Sequence, residues 1–167
     1  ALRLNGYYPP KELRAALDWA KKSSNSDKTF PEYLANLQGL PDNAQINRQE
    51  FFESDLLDIS DQAGEPFAIY FEQSNCRQCD ILHQKVLTQS LVRNQAKQIK
   101  SFQFDMWSNT PVTTVDGRQI MVREFARDLN VQFAPTVIFF DSSGKEVMRM
   151  DGAFKTFHTY GIFRYVN

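Results

Sequence analysis

Apolar residues fall along this chain in two kinds of pattern, continuous short runs and helical spacing. Residues 67–71 (FAIYF) and 136–140 (TVIFF) are unbroken apolar runs, as expected of strands buried on both faces. Leu13, Ala16, Leu17 and Ala20 recur at helical spacing after Pro9-Pro10. Proline suits a first helical turn, and Lys21-Lys22 fall where the macrodipole favours cations. Tyr33, Leu34 and Leu37 predict a second short helix over 31–38, ended by Gly39-Leu40-Pro41. Phe51, Phe52, Leu56, Leu57 and Ile59 predict a helix over 50–62, closed by Gly64 and Pro66. Leu82 and Val86, with Ile81 beside them, continue a helix that starts after Cys76. Leu91/Val92, Gln95/Ala96 and Ile99 predict another.

The remaining elements are shorter. Residues 101–106 read as a strand. Residues 112–115 and 119–121 flank Asp116-Gly117, a hairpin signal because this dipeptide tolerates the positive φ of a tight turn. Phe125, Ala126 and Leu129 face inward on a helix over 122–130. The turn 141–144 returns the chain into a strand over 145–150 that pairs back antiparallel. Gly152 breaks that strand, and 154–166 reads as a closing helix in spite of Gly161. A βαβ crossover followed by a hairpin and a helix makes an α/β fold with a mixed central sheet covered on both faces. Residues 1–50 form a helical extension expected to pack on the main domain, 51–167.

Composition narrows the function. The chain has 167 residues, 23% charged and 42% apolar, with a net charge of −1. This is ordinary for a globular protein. The charge gives no electrostatic case for nucleic acid or an anionic membrane. No apolar run approaches the roughly 20 residues of a membrane span. The chain opens at Ala1 without a signal-peptide pattern, which suits a mature, processed product. Fourteen phenylalanines read as a Phe-rich core rather than an aromatic binding platform.

The chemistry concentrates in Cys76-Arg77-Gln78-Cys79, which holds the chain's two cysteines. Two cysteines cannot build a closed four-cysteine zinc site, but they can form one redox pair. They lie at a strand-to-helix junction, where unpaired backbone N–H groups and the macrodipole favour a thiolate. Two intervening residues bring both sulfurs to one side of the first turn. Arg77 adds positive charge beside Cys76. His83 follows Cys79 by four residues, so CxxCxxxH lies along one helix face, and a metal-binding reading stands beside that of a helix residue near the sulfurs. No fourth ligand is evident, so neither metal nor cofactor is assigned. His158, Met148 and Met150 read as ordinary fold residues.

From about residue 53 onward, the strand FAIYF, the motif CRQC, Ala134-Pro135 before TVIFF, and the turn DSSGKEV leading to Gly152 together resemble the thioredoxin superfamily. FEQSNCRQC, the hairpin after FDMWSNTPVTTVDG and the strand APTVIFF look most like secreted bacterial thioredoxin-like proteins of the branch linked to sulfur oxidation (SoxW-like). The resemblance implies a three-layer thioredoxin-like fold with an inserted β-hairpin. It implies a cis peptide at Pro135, facing the cysteines, with Ala134 lending backbone groups to an extended substrate. Thioredoxins proper carry a buried Asp six residues before the first cysteine, a position held here by Tyr70. They carry Trp before that cysteine and Gly-Pro between the pair, where this chain has Asn75 and Arg77-Gln78. Glu72 is a candidate substitute for the missing acid, against its default as an exposed turn residue.

The expectation is a thiol-disulfide oxidoreductase, a periplasmic disulfide reductase of protein clients recharged by a membrane thiol donor. Cys76 is the expected nucleophile and more exposed sulfur, and Cys79 the resolving thiol. Arg77, Gln78, Glu72 and Tyr70 tune the pair. A disulfide oxidase or isomerase on the same fold, and a metal-binding or interaction module, are the competing readings.

Overall fold

The computed structural model describes residues 10–22, 33, 46–53, 58–62 and 64–167. The chain divides into two compact units, 1–45 and 46–167. In the first, helix α1 spans Pro10–Lys22 with Lys21 and Lys22 in its last turn, as the spacing predicts. Tyr33 is helical; the rest of the helix expected over 31–38 lies outside the described residues.

The second unit is built on strand β1, Phe67–Glu72, every residue of which is buried. It pairs in parallel with β2, Lys100–Asp105, and antiparallel with β5, Thr136–Phe140. Strand β6, Glu146–Asp151, adds antiparallel to β5, so the sheet order is β2-β1-β5-β6. Between β1 and β2 run α2, Arg77–Ile81, a π-helical turn, Leu82–Val86, and α3, Ser90–Ala96. A separate hairpin of β3, Pro111–Thr113, and β4, Gln119–Met121, leads into α4, Val122–Asp128. Helix α5, Thr156–Val166, ends the chain.

The pleat sorts β1 and β5 between two cores, because successive strand residues point to opposite faces. Phe67, Ile69, Phe71, Ile138 and Phe140 join Phe125 and Ala126 of α4 on one side. Ala68, Tyr70, Val137 and Phe139 join Leu82, Val86, Val92, Ala96 and Phe163 on the other. Aromatic pairs weld both layers: Phe67 stacks on Phe140 at 4.8 Å, and Phe139 meets Phe163 edge-on at 5.2 Å. Most of the described phenylalanines are therefore core, Phe154 and Phe157 being exposed, and the fold is the expected three-layer arrangement with an inserted hairpin.

The segment 50–62 departs from the predicted helix. Residues 50–51 form a turn, Phe52 bridges Ser101, and Asp58 bridges Thr113. A 3-10 turn occupies Ser60–Gln62, and 54–57 lie outside the described residues. The backbone N–H groups explain the difference: Glu53 donates to the Ser101 carbonyl and Ile59 to that of Thr113, both at 2.9 Å. Its apolar residues also serve opposite cores, Phe52 on the Tyr70 side and Ile59 on the Phe71 side. The described residues on either side of 54–57 bridge strands β2 and β3 and feed both cores.

Phe139 is wholly buried and packs against Phe163. Phe139→Ala should lower the unfolding free energy by about 3–5 kcal/mol, read from a shifted urea midpoint with an unchanged slope.

Candidate redox site

The two cysteines stand where β1 hands over to α2. Asn75 turns the chain at φ 53°, a left-handed conformation that Asn tolerates better than most residues. Cys76 is then the N-cap of α2, with φ −111° and ψ 98°. Cys76 and Cys79 are joined in a disulfide, with Cα atoms 5.2 Å apart. Both are largely buried, Cys76 at 8% exposure and Cys79 at 1%, so Cys76 is the more exposed of the two residues. The Cys79 backbone N–H donates to Cys76 Sγ at 3.0 Å. The same donor would stabilise a Cys76 thiolate, since a hydrogen bond to a charged form favours it.

The opposite wall comes from the start of β5. The Ala134–Pro135 peptide is cis, and the Ala134 carbonyl lies 3.4 Å from Cys76 Sγ across 58 residues of sequence. Pro135 is itself tied down, its carbonyl accepting the Gly152 N–H at 2.7 Å. Arg77 is exposed and Gln78 half-buried on the first turn of α2.

Glu72 is not the exposed turn residue of the default reading. It is the last residue of β1, on Tyr70's face, and is fully buried. A carboxylate in such a place needs partners. His83 Nε2 lies 2.8 Å from Oε1, and Gln103 Nε2 donates to Oε2 at 3.2 Å. His83 is only 2% exposed. Gln49 Nε2 reaches its Nδ1 at 3.0 Å and its carbonyl at 3.5 Å. The carbonyl contact requires a donor, so the amide nitrogen faces the ring, Nδ1 accepts, and Nε2 carries the proton donated to Glu72. Both ring nitrogens thus have hydrogen-bond partners.

Tyr70 occupies the position of the family acid and fills it with a ring against Phe52, centroids 4.7 Å apart. Its hydroxyl is buried without a hydrogen-bond partner among the described residues; the neighbouring Ser101 hydroxyl is turned to the Ile99 carbonyl. Burial, reinforced by the negative charge of Glu72, pushes the phenol's pKa far up. Tyr70 is therefore a neutral phenol and no replacement for an acid.

Residues 46–53 strap this network from outside. Asn47 donates to Asp80 Oδ1 of α2 at 2.6 Å, and its carbonyl accepts from Gln103. Glu50 binds Arg93 and Lys97 of α3. Those hydrogen bonds, first Lys97's and then Arg93's, hold the Glu50 carboxyl down to about 2. Its folded pKa being depressed, this outer tie is complete above the ordinary glutamate range and is lost as pH falls from there towards 2. The sequence singled out His83 through its spacing from Cys79; Asn47, Gln49 and Gln103 carry no motif.

Residues 54–166 match the family model of the thioredoxin-like domain, and the chain belongs to that family. A thioredoxin-fold protein from Helicobacter pylori is similar over 70% of this chain and 77% of its own, at 18% identity and a TM-score of 0.59. The reduced C-terminal domain of DsbD from Neisseria meningitidis is similar over 64% and 85%, at 17% identity and a TM-score of 0.50. At these identities the likeness is one of fold. No curated protein matches the chain. The family together with the bonded Cys76–Cys79 pair supports a thiol-disulfide oxidoreductase.

Removing His83 leaves a buried carboxylate with one neutral donor. His83→Ala should cost about 3–5 kcal/mol of stability, whereas Glu72→Gln, which keeps an acceptor for the ring N–H, should cost less. Urea unfolding of the two variants makes the comparison; equal losses would count against the pair as drawn.

Proposed function

We propose that this protein is a periplasmic disulfide reductase of protein clients, akin to the secreted SoxW-like branch, recharged by a membrane thiol donor. The observation that carries the chemistry is the Cys76–Cys79 disulfide at the end of β1, facing Ala134. In the reduced protein the Cys76 thiolate attacks a client disulfide. A Cys76–client bond forms and the client's other sulfur leaves as a thiolate that takes up a proton. Cys79 then loses its proton and attacks Cys76 Sγ, which re-forms the internal disulfide and releases the second client sulfur. The client gains two electrons and the protein loses two; the donor's dithiol returns them.

Each surrounding residue has a part in this scheme. Ala134 and Pro135 present a backbone edge to an extended client. Arg77 and the Cys79 N–H favour the Cys76 thiolate, and Gln78 helps set the potential. The buried Glu72–His83 pair takes up the Cys79 proton, since His83 follows Cys79 by four residues, a helical turn along the chain. Tyr70 keeps that pair in a dry, apolar setting.

Direction of electron flow is the finer claim and has a direct test. A redox titration of the Cys76–Cys79 couple should give a midpoint near the reductase value of about −270 mV; one above about −150 mV would assign an oxidase instead. Cys79→Ser should accumulate mixed disulfides with clients on a non-reducing gel, and Cys76→Ser should not. Identical behaviour of the two variants would refute the roles given to the sulfurs.

A further inference from the structure

The site described above has a wall on the β5 side of Cys76 and, on the β2 side, a residue with no part in the chemistry. Trp107 follows the end of β2 and is 64% exposed, uncommon for a side chain that is usually well buried. Its placement is fixed at both ends. Its backbone N–H donates to Asp105 Oδ1 at 3.0 Å, and its indole Nε1–H donates to Gln73 Oε1 at 2.7 Å. The strands themselves are in register here, with Glu72 opposite Asp105 and the Met106 N–H on the Glu72 carbonyl at 2.9 Å.

Gln73 is three residues before Cys76. Three residues span at most about 11 Å when fully extended, and the positive φ of Asn75 folds this link into a turn. The indole is therefore tethered, through Gln73, within one short turn of chain of the first cysteine. Because β1 lies between β2 and β5 in the sheet, Trp107 and Ala134 flank β1 from opposite sides. The single indole donor is spent on Gln73, so the outward ring offers only an apolar π surface. Ser74 and Asn75, between Gln73 and Cys76, bring no charge.

We propose that Trp107, held by Gln73, is a specificity-determining client-contact residue: it receives an apolar side chain flanking the client's cysteine, opposite the Ala134 wall. The inference rests on the exchange chemistry proposed above and adds the class of client, an extended polypeptide whose reactive cysteine has an aliphatic or aromatic neighbour. A pre-positioned, largely exposed aromatic at a reaction centre has the make-up of an interface anchor, and covering it removes apolar surface from water.

The test uses the Cys79→Ser chain and two activated peptide disulfides that differ only in the residues flanking cysteine, Phe in one and Gly in the other. With Trp107 present, the Phe peptide should form the mixed disulfide about tenfold faster, the effect of one well-seated aromatic contact. Trp107→Ala should collapse that ratio towards one, Trp107→Phe should restore most of it, and Gln73→Ala should give an intermediate ratio. Equal rates for the two peptides with Trp107 present would overturn the proposal. So would a preference that survives Trp107→Ala, or a loss of reaction with both peptides in that variant. If the Cys79→Ser chain with Trp107 intact reacts with neither peptide, it is the exchange reading itself that fails, and this inference with it.

Discussion

The antiparallel register between β1 and β5 is the constraint on which the site depends. Phe71 lies opposite Thr136, so the chain leaving β1 towards Cys76 passes the chain entering β5 from Ala134-Pro135. Residues 58 apart in sequence thereby come within 3.4 Å. The register is held by burial, since both strands are apolar on both faces and a one-residue slip would exchange the two cores. Large rings resist that exchange: Phe67 is matched to Phe140 on one face and Phe139 to Phe163 on the other. The inward-facing phenylalanines and the geometry of the sulfurs are one requirement seen at two places.

The same strand carries a buried carboxylate into the core. Glu72 is buried with His83, and neither could be there unpaired without a desolvation cost, several kcal/mol for the carboxylate. The solution is a connected set in which each group is bonded: Gln49 to His83, His83 to Glu72, and Gln103 to both Glu72 and Asn47. The π-helical turn Leu82–Val86 contains His83, and such turns often mark functional positions within helices. The set joins the strap 46–53, the cysteine helix and β2, so a disturbance of the strap reaches His83 through a single amide.

Much of this was legible in the sequence, for identifiable reasons. Unbroken apolar runs marked β1 and β5 because strands buried on both faces lose their alternation. Asp116-Gly117 marked the hairpin because few dipeptides accept its turn. Cys76 and Cys79 were legible from their spacing taken together with Ala134-Pro135 before the second apolar run. The segment 50–62 was misread because Phe52 and Ile59 sit at helical spacing while serving opposite sides of a sheet, and hydrophobic period does not say which partner a residue meets. Glu72 hid behind its own type, since a charged residue next to Gln73-Ser74-Asn75 looks like the start of a loop. Its partners are 11 and 31 residues away, and no local pattern couples them.

That last case alters how the departure at Tyr70 is to be understood. Thioredoxins proper place an acid six residues before the first cysteine, and here that place holds a phenol kept neutral by burial. Strand side chains repeat with a period of two, so residues 70 and 72 share a face. Glu72 therefore stands one pleat repeat, about 6.6 Å, further along the strand towards the cysteines. At position 70 a carboxylate would lie beside Phe52 and the Ser101 hydroxyl. At position 72 it meets the imidazole of His83. Glu72 and His83 consequently depend on each other: either alone would strand a polar group in the core, and together they form a hydrogen-bonded acid–imidazole pair between β1 and the segment that follows the cysteine helix.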